Sequence, residues 1–166
     1  MEDYIIEHTP DYNNPVLTVE DLVVKFNLRG QVLTAVRGIS LELYKGESLA
    51  IVGESGSGKS VFTKTFMGLL DNNGWIDNGH IYYHDHDLTT FKKEKDWTKI
   101  RGQRIAMVFQ DPMTSLNPLK TVGKQIQEAF TLHNKVSKAE AKARTLELLA
   151  DVGIPEPEKR YKQYPH

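Results

Sequence analysis

Gly53-Glu-Ser-Gly-Ser-Gly-Lys-Ser60 is the stretch that decides the fold of this chain. It fits the pattern G-x-x-x-x-G-K-[ST] in full, after a short apolar run at residues 48–52 and before a helical pattern from about Lys59 to Leu70. Its glycines let successive backbone N–H groups form a concave anion site, and the helix N-terminus adds partial positive charge. A plain Gly/Ser-rich turn would not require a strand before it and a helix after it. The motif therefore predicts a loop that binds the phosphates of a nucleoside triphosphate.

The loop also predicts which atoms meet the ligand. The ammonium of Lys59 would contact the β- and γ-phosphates, and the hydroxyl of Ser60 would ligate Mg²⁺. The predicted nucleotide-binding residues of this segment are Gly53, Glu54, Ser55, Gly56, Ser57, Gly58, Lys59, Ser60 and Val61. Hydrolysis is a separate matter, because it needs a further acid and a positioned water.

Two residues outside the loop are candidates for the same site. Phe26 lies in a strand pattern upstream, where a nucleotide base can stack on its ring, and on spacing alone a core role is equally consistent. Gln110 follows the apolar run 105–109, and its amide oxygen can face Mg²⁺ or an attacking water. A lone glutamine at such a position is also compatible with an ordinary loop. The residues alone leave both alternatives open.

Strand patterns occupy much of the first two thirds of the chain. Residues 17–26 and 32–43 are rich in apolar and β-branched side chains and are separated by a short turn, which predicts an antiparallel pair. A further hairpin arm is predicted at residues 79–88. The apolar runs 48–52 and 105–109 are typical of short strands buried on both faces.

Helical patterns follow Gln110. One helix is predicted at about residues 121–133, and a second opens with the capping-box spacing Ser137-Lys-Ala-Glu140 and stops at Gly153. The fold class is therefore α/β. The predicted parts are a polar lead-in at 1–15, an antiparallel β and phosphate-loop core at 16–110, and a helical portion at 111–166.

Composition excludes several classes of protein. With 166 residues, 39% apolar and 26% charged, the chain is long enough for a core and is not typical of disorder. The absence of cysteine excludes disulfides, thiolate metal sites and a cysteine nucleophile. A net charge of −1 gives no reason to expect nucleic-acid binding. The charge is unevenly distributed: residues 1–90 contain 6 basic and 13 acidic side chains, whereas residues 91–166 contain 15 basic and 9 acidic ones. We interpret this difference mainly as a change of element type, because charged residues favour the exposed surfaces of helices.

No stretch of the sequence predicts a membrane span or a secretory signal. The apolar runs are far shorter than the roughly 20 residues of a spanning helix. The first residues, Met1-Glu-Asp-Tyr-Ile-Ile-Glu7, carry acids where a signal would carry bases. We therefore expect a cytoplasmic protein.

Taken together, these segments resemble the ATP-binding subunits of ABC transporters, in particular those of oligopeptide, dipeptide or nickel permeases. The resemblance runs from Leu17 to His166. Its distinctive parts are Ala35-Val-Arg-Gly-Ile-Ser40, the stretch from Gly46 to Ser60, and Ile105-Ala-Met-Val-Phe-Gln-Asp-Pro-Met-Thr-Ser-Leu-Asn-Pro118. The last of these is highly specific for that subfamily.

The resemblance implies roles by position. Phe26 corresponds to the adenine-stacking aromatic, residues 53–60 to the Walker A loop, and Gln110 to the Q-loop glutamine that senses the γ-phosphate and Mg²⁺. Residues 111–118 begin the helical subdomain that faces the membrane subunits. The implied cofactors are ATP and Mg²⁺. The implied partners are a second, identical or homologous ATPase subunit, transmembrane permease subunits and, indirectly, an extracytoplasmic peptide-binding protein. The implied function is peptide import, energised at the cytoplasmic face of the membrane.

The chain also departs from the family pattern. It stops at Tyr164-Pro-His166, before a Leu-Ser-Gly-Gly signature, a Walker B aspartate, a catalytic glutamate or a switch histidine occurs. We therefore expect an N-terminal part of a longer ATPase with no catalytic residue of its own, in which Gln110 only assists, and with an apolar edge at residues 49–52. The alternatives are a non-transport ABC ATPase, against which residues 111–118 argue, and a non-catalytic segment that binds partners.

Overall fold

The computed structural model describes residues 10–110 and 115–166. They fall into two compact units, Met1–Ile100 and Arg101–His166, which are described here one at a time. The first unit is built on a four-stranded antiparallel sheet with the strand order β2-β1-β3-β4. The second is helical. This mixture of an antiparallel sheet with helices agrees with the α/β class predicted from the sequence.

The sheet centres on a long hairpin. β1 (Pro15–Leu28) pairs with β2 (Gln31–Tyr44), and the two turn residues between them, Arg29 and Gly30, both have positive φ. On its other edge β1 pairs with β3 (Gly74–Tyr83), which is followed by the short β4 (His86–Asp87). The hairpin and the later arm confirm the strand predictions upstream and downstream of the loop.

One face of β1 supplies most of the core of this unit. Its buried side chains alternate with more exposed ones, as a half-buried strand requires. The buried residues of β1 are Leu17, Val19, Leu22, Val24 and Phe26. Phe62, Ile81 and Leu88 from the other elements join the same core.

The helices of the first unit are short. α1 (Lys59–Thr65) ends five residues before the predicted Leu70, and the chain continues in turns. At Gly68, φ is +58° and a β-carbon would lie 2.3 Å from the Trp97 ring, so only glycine fits against that ring. A 3₁₀ turn (Leu88–Thr90) and α2 (Glu94–Trp97) complete the unit.

The predicted strands at 48–52 and 105–109 do not form in this structure. Residues 48–52 have no ladder partner among residues 10–110 and 115–166, and Val52 is 91% exposed. The second segment makes one isolated bridge, between Arg101 and Ile105, and Val108 is 93% exposed. A parallel strand exists only through hydrogen bonds to its neighbours, so an apolar run without them stays irregular. Leu49, Ile51 and Val52 are exposed, but because no strand forms at residues 48–52, the apolar strand edge expected there is not present in this structure.

The second unit contains three helices: α3 (Val122–His133), α4 (Lys138–Asp151) and α5 (Pro157–Tyr161). The first two confirm the predicted helices, and Gly153, with φ of +75°, follows the end of α4. α5 was not predicted. A β-carbon at Gly123 would lie 2.2 Å from the Tyr161 ring, and the Tyr161 hydroxyl donates to Gln127 Oε1 at 2.5 Å, so α5 packs tightly on α3.

The predicted capping box at the start of α4 forms as expected. The Glu140 N–H donates to the Ser137 hydroxyl at 3.2 Å, and the Ser137 N–H donates to the Glu140 carboxylate at 2.8 Å. These hydrogen bonds from Ser137 hold the pKa of Glu140 below its ordinary value. Because the pKa of Glu140 is lower in the folded chain than in the unfolded one, its ionised carboxylate stabilises the fold at any pH above the unfolded-state pKa. This stabilisation is lost as the pH falls through the folded-state pKa.

Replacing Ser137 by alanine is expected to lower the free energy of unfolding by about 1 kcal/mol, the usual loss for a helix N-cap. Urea denaturation followed by circular dichroism at neutral pH measures it. Lys135→Ala, an exposed change two residues upstream, is the control and should have no effect. Equal stabilities for the two variants would contradict the role of the cap.

Within the described ranges, the helices are too short and too polar for any of them to cross a bilayer.

Candidate phosphate-binding site

The phosphate loop is anchored to the sheet at Gly58. This residue has φ of +89°, and its carbonyl accepts the N–H of Phe62 at 2.8 Å, the first bond of α1. A β-carbon here would lie only 2.4 Å from the carbonyl oxygen of Ala35 in β2 and 3.7 Å from Val36 Cγ2. The left-handed backbone and the close approach both require glycine at this position. The end of the loop therefore sits directly on the face of β2 that carries Val36.

The body of the loop is an exposed turn. The Ser57 N–H donates to the Glu54 carbonyl at 3.2 Å, and Gly56 has φ of +80° with no atom within 4 Å of a β-carbon there. A β-carbon at Gly53 would lie 2.8 Å from the Ser57 hydroxyl oxygen. The loop is thus compact at both ends and open to solvent at its tip. A backbone that alternates through positive φ in this way turns N–H groups toward a common centre.

The side chain of Lys59 folds back onto its own loop. Its ammonium donates to the carbonyl oxygens of Gly53 at 2.7 Å and Glu54 at 2.6 Å, and it lies 3.4 Å from the Ser57 hydroxyl. An ammonium has three donors on a flexible stem and can exchange acceptors without rebuilding the backbone. The Lys59 ammonium, the one cation among residues 53–60, is therefore held by hydrogen bonds within the loop.

The residues after the lysine begin α1. Ser60 is exposed on the first turn, and Val61 is half-buried. The Ser60 carbonyl accepts from the Thr63 hydroxyl at 3.3 Å. The hydroxyl oxygen of Ser60 is a hard ligand, which fits Mg²⁺, an ion that also keeps several of its waters. The donor chemistry of this turn is therefore compatible with the predicted metal.

Phe26 lies near the turn that joins β1 to β2, and its side chain is only 9% exposed. Gly74 of β3 lies against the Phe26 ring, where a β-carbon would be 2.5 Å from Cε1. Two hydrogen bonds hold this arrangement: Asn27 N–H donates to the Asn73 carbonyl at 2.8 Å, and Asn73 Nδ2 donates to the Asn27 carbonyl at 3.0 Å. In this structure the ring is a covered core group. Its predicted stacking on a base stays a prediction.

Strand register relates Phe26 to the loop. Phe26 pairs with Leu33 in β2, and Ala35, which meets Gly58, is two residues further along the same strand. Two residues of extended chain span about 7 Å. The hairpin therefore brings the Phe26–Leu33 pair close to the phosphate loop, as the spacing in sequence alone could not show.

Gln110 lies in the second unit and is exposed. It follows the irregular segment 105–109. Its predicted contact with Mg²⁺ or water rests on the resemblance and stays a prediction. Of the stretch 111–118, residues 111–114 lie outside the described residues.

Sequence reasoning missed two residues that shape the site, Ala35 and Gly74. Ala35 lies where the β1–β2 register shifts, next to the Val24–Val36 pair. Gly74 follows Asn72-Asn73, which is a turn signal, but no local pattern shows that it covers Phe26. Both contacts depend on pairing between distant parts of the chain.

Comparison with known proteins gives a consistent picture. The family model described as ABC transporter matches residues 36–166. The oligopeptide transport ATP-binding protein AmiE of Streptococcus pneumoniae serotype 4 is 53% identical over 92% of this chain and 43% of its own length. The dipeptide transport ATP-binding protein DppD of Lactococcus lactis subsp. cremoris is 51% identical over 91% and 43%. This chain thus spans less than half the length of these curated relatives.

A solved structure supports the fold. It shows a dimeric ATP-binding cassette in a post-hydrolysis state with ADP and phosphate bound. It superposes with a TM-score of 0.77 at 23% identity, covering 90% of this chain and 61% of the other. Because the family model takes in the whole phosphate loop and most of the chain, this chain belongs to the ABC transporter family.

Proposed function

We propose that this chain is the nucleotide-binding part of an ABC transporter ATPase subunit that energises peptide import. The observation that carries the proposal is the phosphate loop, with Gly58 pressed onto β2 and the Lys59 ammonium held at the loop carbonyls. Relatives at 53% and 51% identity, named as oligopeptide and dipeptide transport ATP-binding proteins, support the choice of peptides.

In this proposal the loop binds ATP, and the rest of the chain couples ATP binding to the partner subunits. The backbone N–H groups of residues 53–60 and the Lys59 ammonium take the phosphates, and the Ser60 hydroxyl ligates Mg²⁺, which neutralises phosphate charge. Gln110 supplies a second oxygen to Mg²⁺ or orients a water. Residues 111–118 and the helical unit face transmembrane permease subunits, and a second ATPase subunit, identical or homologous, completes the site. The complex works at the cytoplasmic face of the membrane, fed by an extracytoplasmic peptide-binding protein.

The acid and base of hydrolysis are assigned to residues that this chain does not contain. Its relatives are more than twice as long, and we propose that this chain is the N-terminal part of a full-length subunit of similar size. The intact mass of the gene product, measured on protein purified from its source, tests this point. A mass well above 18.9 kDa supports it, whereas a mass of 18.9 kDa contradicts it.

Hydrolysis by two forms of the protein tests the division of labour. The full-length subunit, reconstituted with its permease subunits in vesicles, is expected to hydrolyse ATP and to take up short peptides. The isolated 166-residue chain is expected to show no turnover, because general acid–base chemistry would lack its groups. Measurable turnover by the pure chain would refute this division. ATP hydrolysis without peptide uptake, across a panel of di- to pentapeptides, would refute peptide transport.

A further inference from the structure

The turn between α3 and α4 carries exposed apolar side chains and lysines next to one another. α3 ends at His133 and α4 begins at Lys138, and we call the segment 129–139 the hairpin tip. Leu132 is 72% exposed, and Val136 is also exposed. The tip contains two lysines, Lys135 and Lys138, and no aspartate or glutamate. Because a leucine in water contributes nothing to the fold, this surface is available to a partner.

Hydrogen bonds hold the tip in its exposed position. Gln127 Nε2 of α3 donates to the carbonyl oxygen of Lys138 at the start of α4 at 3.0 Å. The Asn134 N–H donates to the Phe130 carbonyl at 3.0 Å, which ends α3. The capping box of Ser137 fixes the first turn of α4. The exposed side chains therefore sit on a defined turn at the end of two packed helices.

The positive charge of the tip is not neutralised within the described residues. Lys135 and Lys138 form no ion pair there, and the described ion pairs of this unit belong to other cations: Lys120, Arg144 and Lys159. The two acids that flank the tip are already engaged. Glu128 accepts from Lys120 at 2.9 Å, and the Glu140 carboxylate accepts the Ser137 N–H at 2.8 Å. The tip therefore presents two cations to an external anion.

An anionic bilayer surface suits this combination better than other acidic partners. Lysine ammonium groups lie at lipid phosphates while apolar side chains beside them reach the acyl boundary below the headgroups. A nucleic acid would use the lysines through its phosphates but offers no apolar layer to Leu132. A second copy of the tip would bring like charges together.

We propose that the hairpin tip binds directly to a membrane surface that contains anionic phospholipids. Lys135 and Lys138 lie at the headgroups, and Leu132 and Val136 insert between them. The inference rests on the proposed function in one respect, the position of the protein beside a membrane, and it adds a contact with lipid to the contact with permease subunits. Two cations and two apolar side chains give a weak, reversible contact, which strengthens an attachment made by protein partners.

Val152 provides a matched control for the apolar part of the contact. It is 71% exposed, almost the same as Leu132, but it follows the other end of α4. A helix of 14 residues is about 20 Å long, so Val152 is far from the tip. Leu132→Ser and Val152→Ser each remove one exposed apolar side chain without adding charge.

A second pair of variants tests the charge. Lys135→Glu with Lys138→Glu reverses both cations of the tip. The control, Lys124→Glu with Lys162→Glu, makes the same change in net charge at two exposed lysines of the same unit, one in the first turn of α3 and one after α5. A general attraction between the protein and anionic lipid would respond equally to both double variants.

The test measures binding of the full-length subunit, without its permease subunits, to vesicles by co-sedimentation. One set of vesicles is phosphatidylcholine alone, and the other contains about one third phosphatidylglycerol. The unmodified protein is expected to bind the anionic set more tightly, and less so as salt is raised. The tip double variant is expected to lose roughly tenfold in this binding and Leu132→Ser roughly fivefold, whereas the two controls keep it.

The remaining outcomes overturn the inference. These are no binding to anionic vesicles, equal binding to both sets, and equal losses in the tip variants and their controls. A change of oligomeric state in the tip variants, measured without vesicles by sedimentation equilibrium, would instead make the tip an interface between copies. If the tip double variant does not fold, as judged by circular dichroism, Lys135→Gln with Lys138→Gln replaces it. Peptide uptake by the complete transporter is measured separately, so a failed proposed function and a failed lipid contact are distinguishable.

Discussion

Lys59→Ala is expected to weaken ATP binding by the full-length subunit roughly 10- to 100-fold. The ammonium is the one cation held inside the phosphate loop, and hydrogen bonds to charged groups contribute about 1.5–3 kcal/mol each. Its present acceptors, the carbonyl oxygens of Gly53 and Glu54, belong to exposed residues, so water can replace the lysine there. The loss therefore falls on ligand binding and leaves the fold nearly as stable as before.

Lys64→Ala is the matched control, because it removes the same side chain from the last turn of the same helix. Titration calorimetry with ATP and a thermal melt without ligand are needed for both variants. The expected pattern is a large loss of affinity in Lys59→Ala, none in Lys64→Ala, and similar melting temperatures. Full ATP affinity in Lys59→Ala would show that the loop does not hold the triphosphate as proposed.

Gly58→Ala is expected to destabilise the sheet unit by about 2–5 kcal/mol and to reduce ATP affinity with it. Two terms add. An alanine at φ of +89° is strained by about 1–2 kcal/mol, and its β-carbon would lie 2.4 Å from the Ala35 carbonyl oxygen, an overpacked contact that costs about 1–3 kcal/mol. Because the neighbour is strand backbone, relief requires the loop to move away from β2.

Gly56→Ala separates the two terms. Gly56 also has positive φ, but a β-carbon there would meet no atom within 4 Å, so only the conformational strain remains. Urea denaturation of both variants should rank Gly58→Ala as clearly the less stable. Equal destabilisation would mean that the contact with Ala35 does not anchor the loop.

The sequence predicted the parts of the fold that local chemistry determines. The β1–β2 hairpin follows from two β-rich runs around Arg29-Gly30, and α4 follows from the Ser137–Glu140 capping box and Gly153. Each depends on residues a few positions apart. Patterns at this range carry enough information to define an element and its ends.

The predictions that failed depend on distant neighbours. Residues 48–52 have the composition of a buried strand, but a strand forms only against partners, and composition does not supply them. The local pattern placed Phe26 in a strand, and the register brings its pair with Leu33 near the loop. The exposure of its ring is set by Gly74, which comes from another part of the chain. The identity of the phosphate loop was readable from sequence, whereas the surface beside it required the register of the sheet.

The hydrogen bonds of Lys59 to its own loop make nucleotide binding an exchange of partners. The ammonium already has two carbonyl acceptors within its own loop, so an arriving phosphate must displace them. The net gain is the difference between a charged and a neutral acceptor, which is smaller than the full strength of the new bond. When a nucleotide leaves, the lysine returns to acceptors that are within reach, and no unpaired charge is left behind. The loop is thus suited to repeated binding and release of a phosphate ligand.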